Sequence, residues 1–261
     1  MKKQKVSIVI PVYQPEKEVF EKVKEILRKQ TIKAEIVENW NMPEAKSMNT
    51  GIKRAKGEII IILAQDCIPE DKYWIEKLIK PLEDKKVIAT VSDLYLPEEY
   101  WKKYPFLTRV LTVNDIGIKH PIMDARACAY RKKDLIRVGM FSEDPNVIAI
   151  DGDLYKKIKD KGKIVHPSTK VLHLHHLTNL KKIKLSYKYA VGSGRVVRKY
   201  GSKEAVFWRR LLRATPLFGM LPIIFVFPFG KHPLLFPVYL LLSPITHLIY
   251  VFGFWKGFLT G

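Results

Sequence analysis

Residues 45–71 read AKSMNTGIKRAKGEIIIILAQDCIPED, and the centre of that stretch decides the fold. Glu58–Cys67 is apolar without alternation through Ala64, the pattern of a strand buried on both faces. Just before it, Glu44–Lys56 reads as a helix that Gly57 ends. Asp66 stands at the end of the buried strand, where a carboxylate is costly unless it meets a metal, a cation or water. Further out, Val6–Val12 (VSIVIPV) is a second β-branched run, closed by proline. Lys17–Lys29 then places Val19, Phe20, Val23, Ile26 and Leu27 at helical spacing. Ala34–Asn39 reads as a strand, Asp71–Leu82 as a helix and Val87–Leu96 as a strand. A β-α-β-α-β order predicts an α/β fold with a mostly parallel sheet covered by helices. Ligands on such sheets bind beyond the carboxyl ends of the strands. That rule gathers Pro11–Tyr13, Glu38–Asn39 and Gln65–Cys67 around one cleft.

The charge balance narrows the partners. Forty-six Lys and Arg against 26 Asp and Glu leave a formal charge of +20, which suits anionic substrates or anionic lipid headgroups. The basic residues are spread along the chain and form no nucleic-acid module, so nucleic acid is not an expected partner. Cys67 and Cys128 lack metal-site spacing and are too few for a disulfide framework, which points to a reducing compartment. The apolar run after the basic N-terminus is short, ends at Pro11 and shows no small-residue cleavage site, unlike a secretory signal.

Beyond about residue 205 the composition changes. Ala214–Gly230 and His232–Trp255 contain no Asp, Glu, Lys or Arg, with Lys231 alone between them. The second stretch is long enough for a bilayer core of ~30 Å and the first is at the short limit. Prolines at 216, 222, 228, 233, 237 and 244 would kink or break regular helices, so a helical hairpin and a re-entrant or interfacial tail are both open. Basic residues before the stretch (Lys199, Lys203, Arg209, Arg210, Arg213) and after it (Lys256) mark the cytoplasmic side. The expected division is a catalytic domain over 1–204 and a membrane-associated segment over 205–261. The expected location is the cytoplasmic face of the cell membrane.

The segments VSIVIPVY and AKSMNTGIKRAKGEIIIILAQDCIPED resemble the amino half of family 2 glycosyltransferases, which have the GT-A fold. DARACAYRKKDLIRVGMFSED, AIDGDLYKKIKDKGKIV and VLHLHH resemble the acceptor half, in the same order. The resemblance covers about residues 5–195, and AQDCIP looks most like the version in rhamnosyltransferase-like members. It implies inverting transfer from a nucleotide-diphosphate sugar, with a divalent metal (Mn²⁺ or Mg²⁺) on the donor diphosphate. Asp66 matches the last aspartate of the family's Asp-x-Asp motif, with Ala64 in place of the first. His173 matches a histidine that completes the metal site, with His175 and His176 beside it. Asp151 matches the general base of the acidic motif, with Ile150 replacing its glutamate and Asp153 as the local alternative. On the donor side the resemblance implies Pro11, Val12 and Tyr13 against the base, and Glu38 and Asn39 at base or ribose. Lys46, Asn49, Gly51 and Gln65 fall in the segments that reach the nucleotide. Arg126 and Arg131 are candidates to neutralise the diphosphate. Together with the tail, the resemblance implies a lipid-linked or saccharide acceptor held at a membrane surface with anionic lipids. A non-catalytic scaffold that keeps the fold is the competing reading, suggested by Ala64 and Ile150.

Overall fold

A computed structural model describes residues 5–144, 147, 150–175, 177–203, 207–221 and 227–260. The chain forms two compact units, each discontinuous in sequence. The first holds 1–97, 117–143 and 149–175, and the second holds 98–116, 144–148 and 176–261. This differs from a division at 204/205. The helix over 179–200 packs along the C-terminal apolar helix, so it belongs with the tail.

The first unit is built on a six-stranded sheet. β1 (Val6–Val12), β2 (Glu35–Trp40) and β3 (Ile59–Leu63) run parallel, in spatial order β2-β1-β3. α1 (Lys17–Arg28) and α2 (Glu44–Arg54) are the connecting helices. The residues of β3 are fully buried, as the absence of alternation requires. The parallel reading then meets an exception, because the strand beside β3 is antiparallel. It comes from later in the chain: β8 (Ala127–Arg131) lies between β3 and β5 (Val87–Val91) and opposes both. β9 (Lys163–Val165) closes the edge parallel to β5. The sheet is therefore mixed.

Two runs read as single strands are each divided. The run ending at Cys67 turns at Ala64–Asp66 and resumes as β4 (Cys67–Pro69). The run over 87–96 breaks at buried Ser92, which accepts the Trp74 indole N–H at 3.1 Å, and resumes as β6 (Asp93–Leu96). β4 and β6 join β7 (Gly117–Lys119) and β10 (Lys170–His173) in a second sheet of order β4-β10-β6-β7. The Asp71–Leu82 helix is shorter, α3 (Trp74–Ile79) followed by a 3-10 turn. α6 (Lys132–Arg137) and α7 (Ile150–Ile158) complete the unit.

The second unit contains α4 (Glu98–Trp101), α5 (Phe106–Thr112), α8 (Asn179–Tyr200), α9 (Phe207–Arg213) and α10 (Phe236–Thr260). α8 and α10 lie close enough that side chains are excluded at the contact. A Cβ on Gly257 would fall 1.9 Å from the Val191 carbonyl oxygen, and one on Gly194 would fall 2.0 Å from that of Phe254. Pro244 does not break α10, which runs through it. Two side chains of α10 bond to carbonyls of the segment before it. His247 Nε2 lies 2.9 Å from the Thr215 carbonyl oxygen, and Trp255 Nε1 donates to that of Ala214 at 3.0 Å. Among the described residues one helix, Pro233–Thr260 with mean hydropathy 1.8, is long and apolar enough to cross a membrane. Residues 222–226, in the first uncharged stretch, lie outside the described set.

Candidate active site

The carboxyl ends of β1, β2 and β3 share one edge of the sheet. Because β8 is antiparallel to β3, with Ala127 opposite Leu63, its first residues arrive at that same edge. There the Gln65 carboxamide clamps Tyr13: Oε1 accepts from the Tyr13 N–H at 2.8 Å, and Nε2 donates to the Tyr13 carbonyl at 2.9 Å. The Tyr13 ring stays 61% exposed. The exposed Trp40 indole donates to Glu38 at 3.1 Å, so an acidic group and two aromatic rings stand together at this edge. Pro11 is half-buried, Val12 is buried under the edge, and Lys46 is exposed on α2.

Asn39 and Asn49 are bonded within the protein, and Gly51 serves close packing. Asn39 is buried, donates to the Ser47 carbonyl at 2.8 Å and accepts from Arg54 at 2.9 Å. Asn49 is also buried, bonded to both backbone groups of Phe141 and to Glu143. Gly51 lets α2 approach β1, since a Cβ there would lie 2.3 Å from Val9 Cγ1. These three residues hold the frame of this edge.

At the end of β3 the chain turns so that β4 pairs with β10, His173 opposite Cys67. The Leu174 N–H donates to the Asp66 carbonyl at 2.9 Å. This pairing brings His173 Nε2 to 3.5 Å from Asp66 Oδ2. The His175 ring lies against His173, with centroids 4.3 Å apart. Ligand atoms of Asp66, His173 and His175 all fall within 4.8 Å of one another, the one such group among the described residues. His176 lies outside that set. Burial pushes the Asp66 carboxyl up, but the His173 contact and the charges of both histidines outweigh it and hold the group below its ordinary value. A carboxylate held ionised beside two imidazoles fits a divalent ion of borderline softness, Mn²⁺ more readily than Mg²⁺.

Two further side chains continue the array. Arg126 Nη1 lies 3.3 Å from His173 Nδ1. The same guanidinium forks onto buried Asp124, Nε to Oδ1 at 2.8 Å and Nη2 to Oδ2 at 2.5 Å. Asp124 was not among the residues singled out from the sequence. It opens the segment DARACAY, and its place in the array comes from the fork it forms with Arg126. Asp151 opens α7 and accepts its neighbour's N–H, from Gly152, at 2.9 Å. Desolvation, with repulsion from Asp124 added, raises the Asp151 carboxyl above its ordinary value against the lowering effect of that bond and of Arg126. Asp153 differs, being ion-paired with Lys157 one turn on at 2.9 Å. Ile150, where the motif has glutamate, is buried in the core.

The structure corrects the expectation for Arg131. Its guanidinium donates to the carbonyls of Leu82, Asp84, Lys85 and Val87 and pairs with Asp134 at 2.6 Å. It ties β8 to the turn before β5, at the opposite edge of the sheet.

A mixed sheet of this order, with a carboxylate turn after β3 and a second small sheet supplying a histidine, is the GT-A fold. Residues 24–139 match the family model described as glycosyl transferase family 2. The match covers less than half of the chain and takes in Asp66, Asp124 and Arg126, though neither Asp151 nor His173. In structure the chain is similar to the mannosyltransferase PcManGT from Pyrobaculum calidifontis, solved with GDP-Man and Mn²⁺. That likeness has TM-score 0.58 and 14% identity, and covers 97% of this chain and 87% of that one. It is also similar to GalNAc-T7, solved with UDP, GalNAc and Mn²⁺, at TM-score 0.53 and 14% identity. There 94% of this chain is covered but only 54% of the other, about half its length. No curated protein matches the chain in sequence.

Proposed function

We propose that the chain is an inverting glycosyltransferase that moves a sugar from a nucleotide-diphosphate donor to an acceptor hydroxyl held at a membrane. The observation that carries the reading is the convergence at one sheet edge of Asp66, His173 and His175 with a separate carboxylate, Asp151. A nucleotide diphosphate leaves as a stabilised anion and needs no proton donor, so transfer requires one base and a means of holding the diphosphate. Asp151 fits the base, because burial raises its proton affinity and, among the described residues, no cation is bonded to it in the way that Lys157 neutralises Asp153. It takes the acceptor proton as the acceptor oxygen bonds to the anomeric carbon and the bond to the diphosphate breaks on the opposite face. A divalent cation on Asp66, His173 and His175 would supply charge neutralisation for that leaving group. Tyr13, Trp40 and Glu38 present two ring faces and an acidic group to the nucleoside. A membrane-held acceptor is supported by the length and apolar composition of α10, and the excess of basic charge supports anionic lipid on the cytoplasmic face.

The test is a nucleotide-sugar screen by thermal stabilisation with and without Mn²⁺, since a bound donor raises the midpoint by mass action. Release of nucleoside diphosphate in the presence of membrane extract is then measured. Stabilisation by a nucleotide-sugar without turnover on any acceptor would favour the scaffold reading.

A further inference from the structure

We propose that Arg109 anchors the phosphate of a lipid-linked saccharide acceptor, whose sugar carries the attacking hydroxyl, at a site on α5 built wholly from the second unit. The proposal rests on the membrane-held acceptor reading above. Three nearby cations of this unit have acceptors of their own, and exposed Lys103 lies 5.7 Å from the Tyr100 ring. Lys102 pairs with Glu98 at 3.0 Å, Lys182 with Asp115 at 3.6 Å, and Lys231 donates to the Ile116 carbonyl at 3.2 Å. Arg109 is different. Its Nε is buried with no hydrogen-bond partner, and no ion pair or hydrogen bond to its guanidinium is formed among the described residues. The guanidinium carbon lies 5.9 Å from the Trp101 ring and 5.7 Å from the Phe106 ring. Ring faces ease the charge but accept none of the in-plane N–H groups, so the fork still lacks acceptor oxygens. A phosphate supplies them in matching geometry.

The mounting of Arg109 is rigid. Trp101 is buried and its indole N–H donates to Thr112 at 3.0 Å, holding the ring in place. Thr108, the neighbouring residue, donates to the Asn179 side chain at 2.6 Å and pins α5 to the start of α8. A preorganised fork loses little entropy on binding.

The surroundings favour a lipid over free phosphate. Phe106 and Leu107 flank the site, 48% and 41% exposed. α5 packs against α10, which presents Leu241 at 74% and Phe252 at 70% exposure. An alkyl or prenyl chain leaving the phosphate would find apolar surface, whereas inorganic phosphate gains nothing from it. Tyr100, Lys102, Lys103 and Phe106 reach the surface here, while Trp101 and Tyr104 are buried; exposed aromatic and basic residues of this kind gather at the membrane–water interface.

The experiment titrates full-length protein in detergent with a prenyl phosphate, with the prenol of the same chain length, and with inorganic phosphate, read by tryptophan fluorescence. Wild type should bind the prenyl phosphate at least tenfold more tightly than either control. Arg109→Met should lose that advantage, and Arg109→Lys, which keeps the charge but not the fork, should fall between. An unchanged affinity in Arg109→Met overturns the site, and inorganic phosphate competing as well as the lipid overturns its assignment to lipid. Stabilisation by nucleotide-sugar with Mn²⁺ is measured on the same samples. If it is retained, the variant is folded. If it fails in wild type while lipid binding still needs Arg109, the transferase reading falls and the lipid site stands.

Discussion

Arg126 and Arg131 are five residues apart, one before β8 and one at its end, and they mark opposite edges of the same sheet. At the Arg131 edge there is a real cavity of about 440 Å³, lined by Gly57, Glu58, Ile59, Arg131, Lys132, Lys133 and Ile136. Two of its strongest polar groups are already occupied. Arg131 serves four carbonyls and Asp134, and Lys132 donates to the carbonyls of Lys53 and Ala55. At the Arg126 edge, charged groups of both signs face one another across short gaps, and the Asp151 carboxyl is raised by burial. In a chain this basic, concavity and cations are poor guides to chemistry. Which groups have their bonding capacity already satisfied by the backbone is a better one.

The largest expected effect comes from the chemical edge. Asp151→Asn should lower transfer by about 10²–10⁴-fold, the range of a lost general base, while nucleotide affinity measured by calorimetry changes little. Near wild-type turnover would reassign the base to Asp153. At the other edge the expected damage is to folding. Arg131→Met leaves several carbonyls without a donor and Asp134 paired with Arg137 alone, at a cost of ~2 kcal/mol. Denaturant melts should show that loss, while Mn²⁺-dependent nucleotide binding at low temperature survives. If Arg131→Met instead removed nucleotide binding from a stably folded protein, the contrast between the edges would collapse. Asp66→Ala should weaken nucleotide binding in Mn²⁺ by about 100-fold and abolish the difference between Mn²⁺ and chelator. Equal wild-type affinity with and without Mn²⁺ would remove the metal from the mechanism.

The same contrast explains what could be read from the residues alone. β3 was legible because a strand buried on both faces needs an unbroken apolar run, and Ile59–Ala64 supplies one. The division of 87–96 at Ser92 was not, since β5 and β6 have similar composition and only the Trp74 bond marks the break. Asp66, His173 and Asp151 could be named from motifs. Whether Asn39 and Asn49 face a nucleotide or the protein depends on partners far along the chain, as with Phe141 for Asn49. Asp124 bonds to Arg126 two residues on, and what the sequence does not show is that this pair meets His173, 47 residues from Arg126.

The smallest predicted effect separates the roles of the carboxylates most cleanly. Burial and Asp124 raise the Asp151 carboxyl in the folded state, so folding favours its protonated form. The stability linked to that proton is fully present below the unfolded value and is lost as pH rises through the folded one. Asn resembles the protonated acid at every pH. Asp151→Asn should therefore melt at the same temperature as wild type in acid and slightly higher, by a few degrees or less, at pH 8. A variant inactive in transfer yet more stable near neutrality is the signature of a base kept in an unfavourable place for its chemistry. Asp153→Asn, which removes an ion pair to Lys157, should show the opposite sign or no change. Superimposable melting curves for Asp151→Asn and wild type across the whole range would mean that Asp151 is hydrated, and the raised proton affinity that suits it to act as base would have to be abandoned.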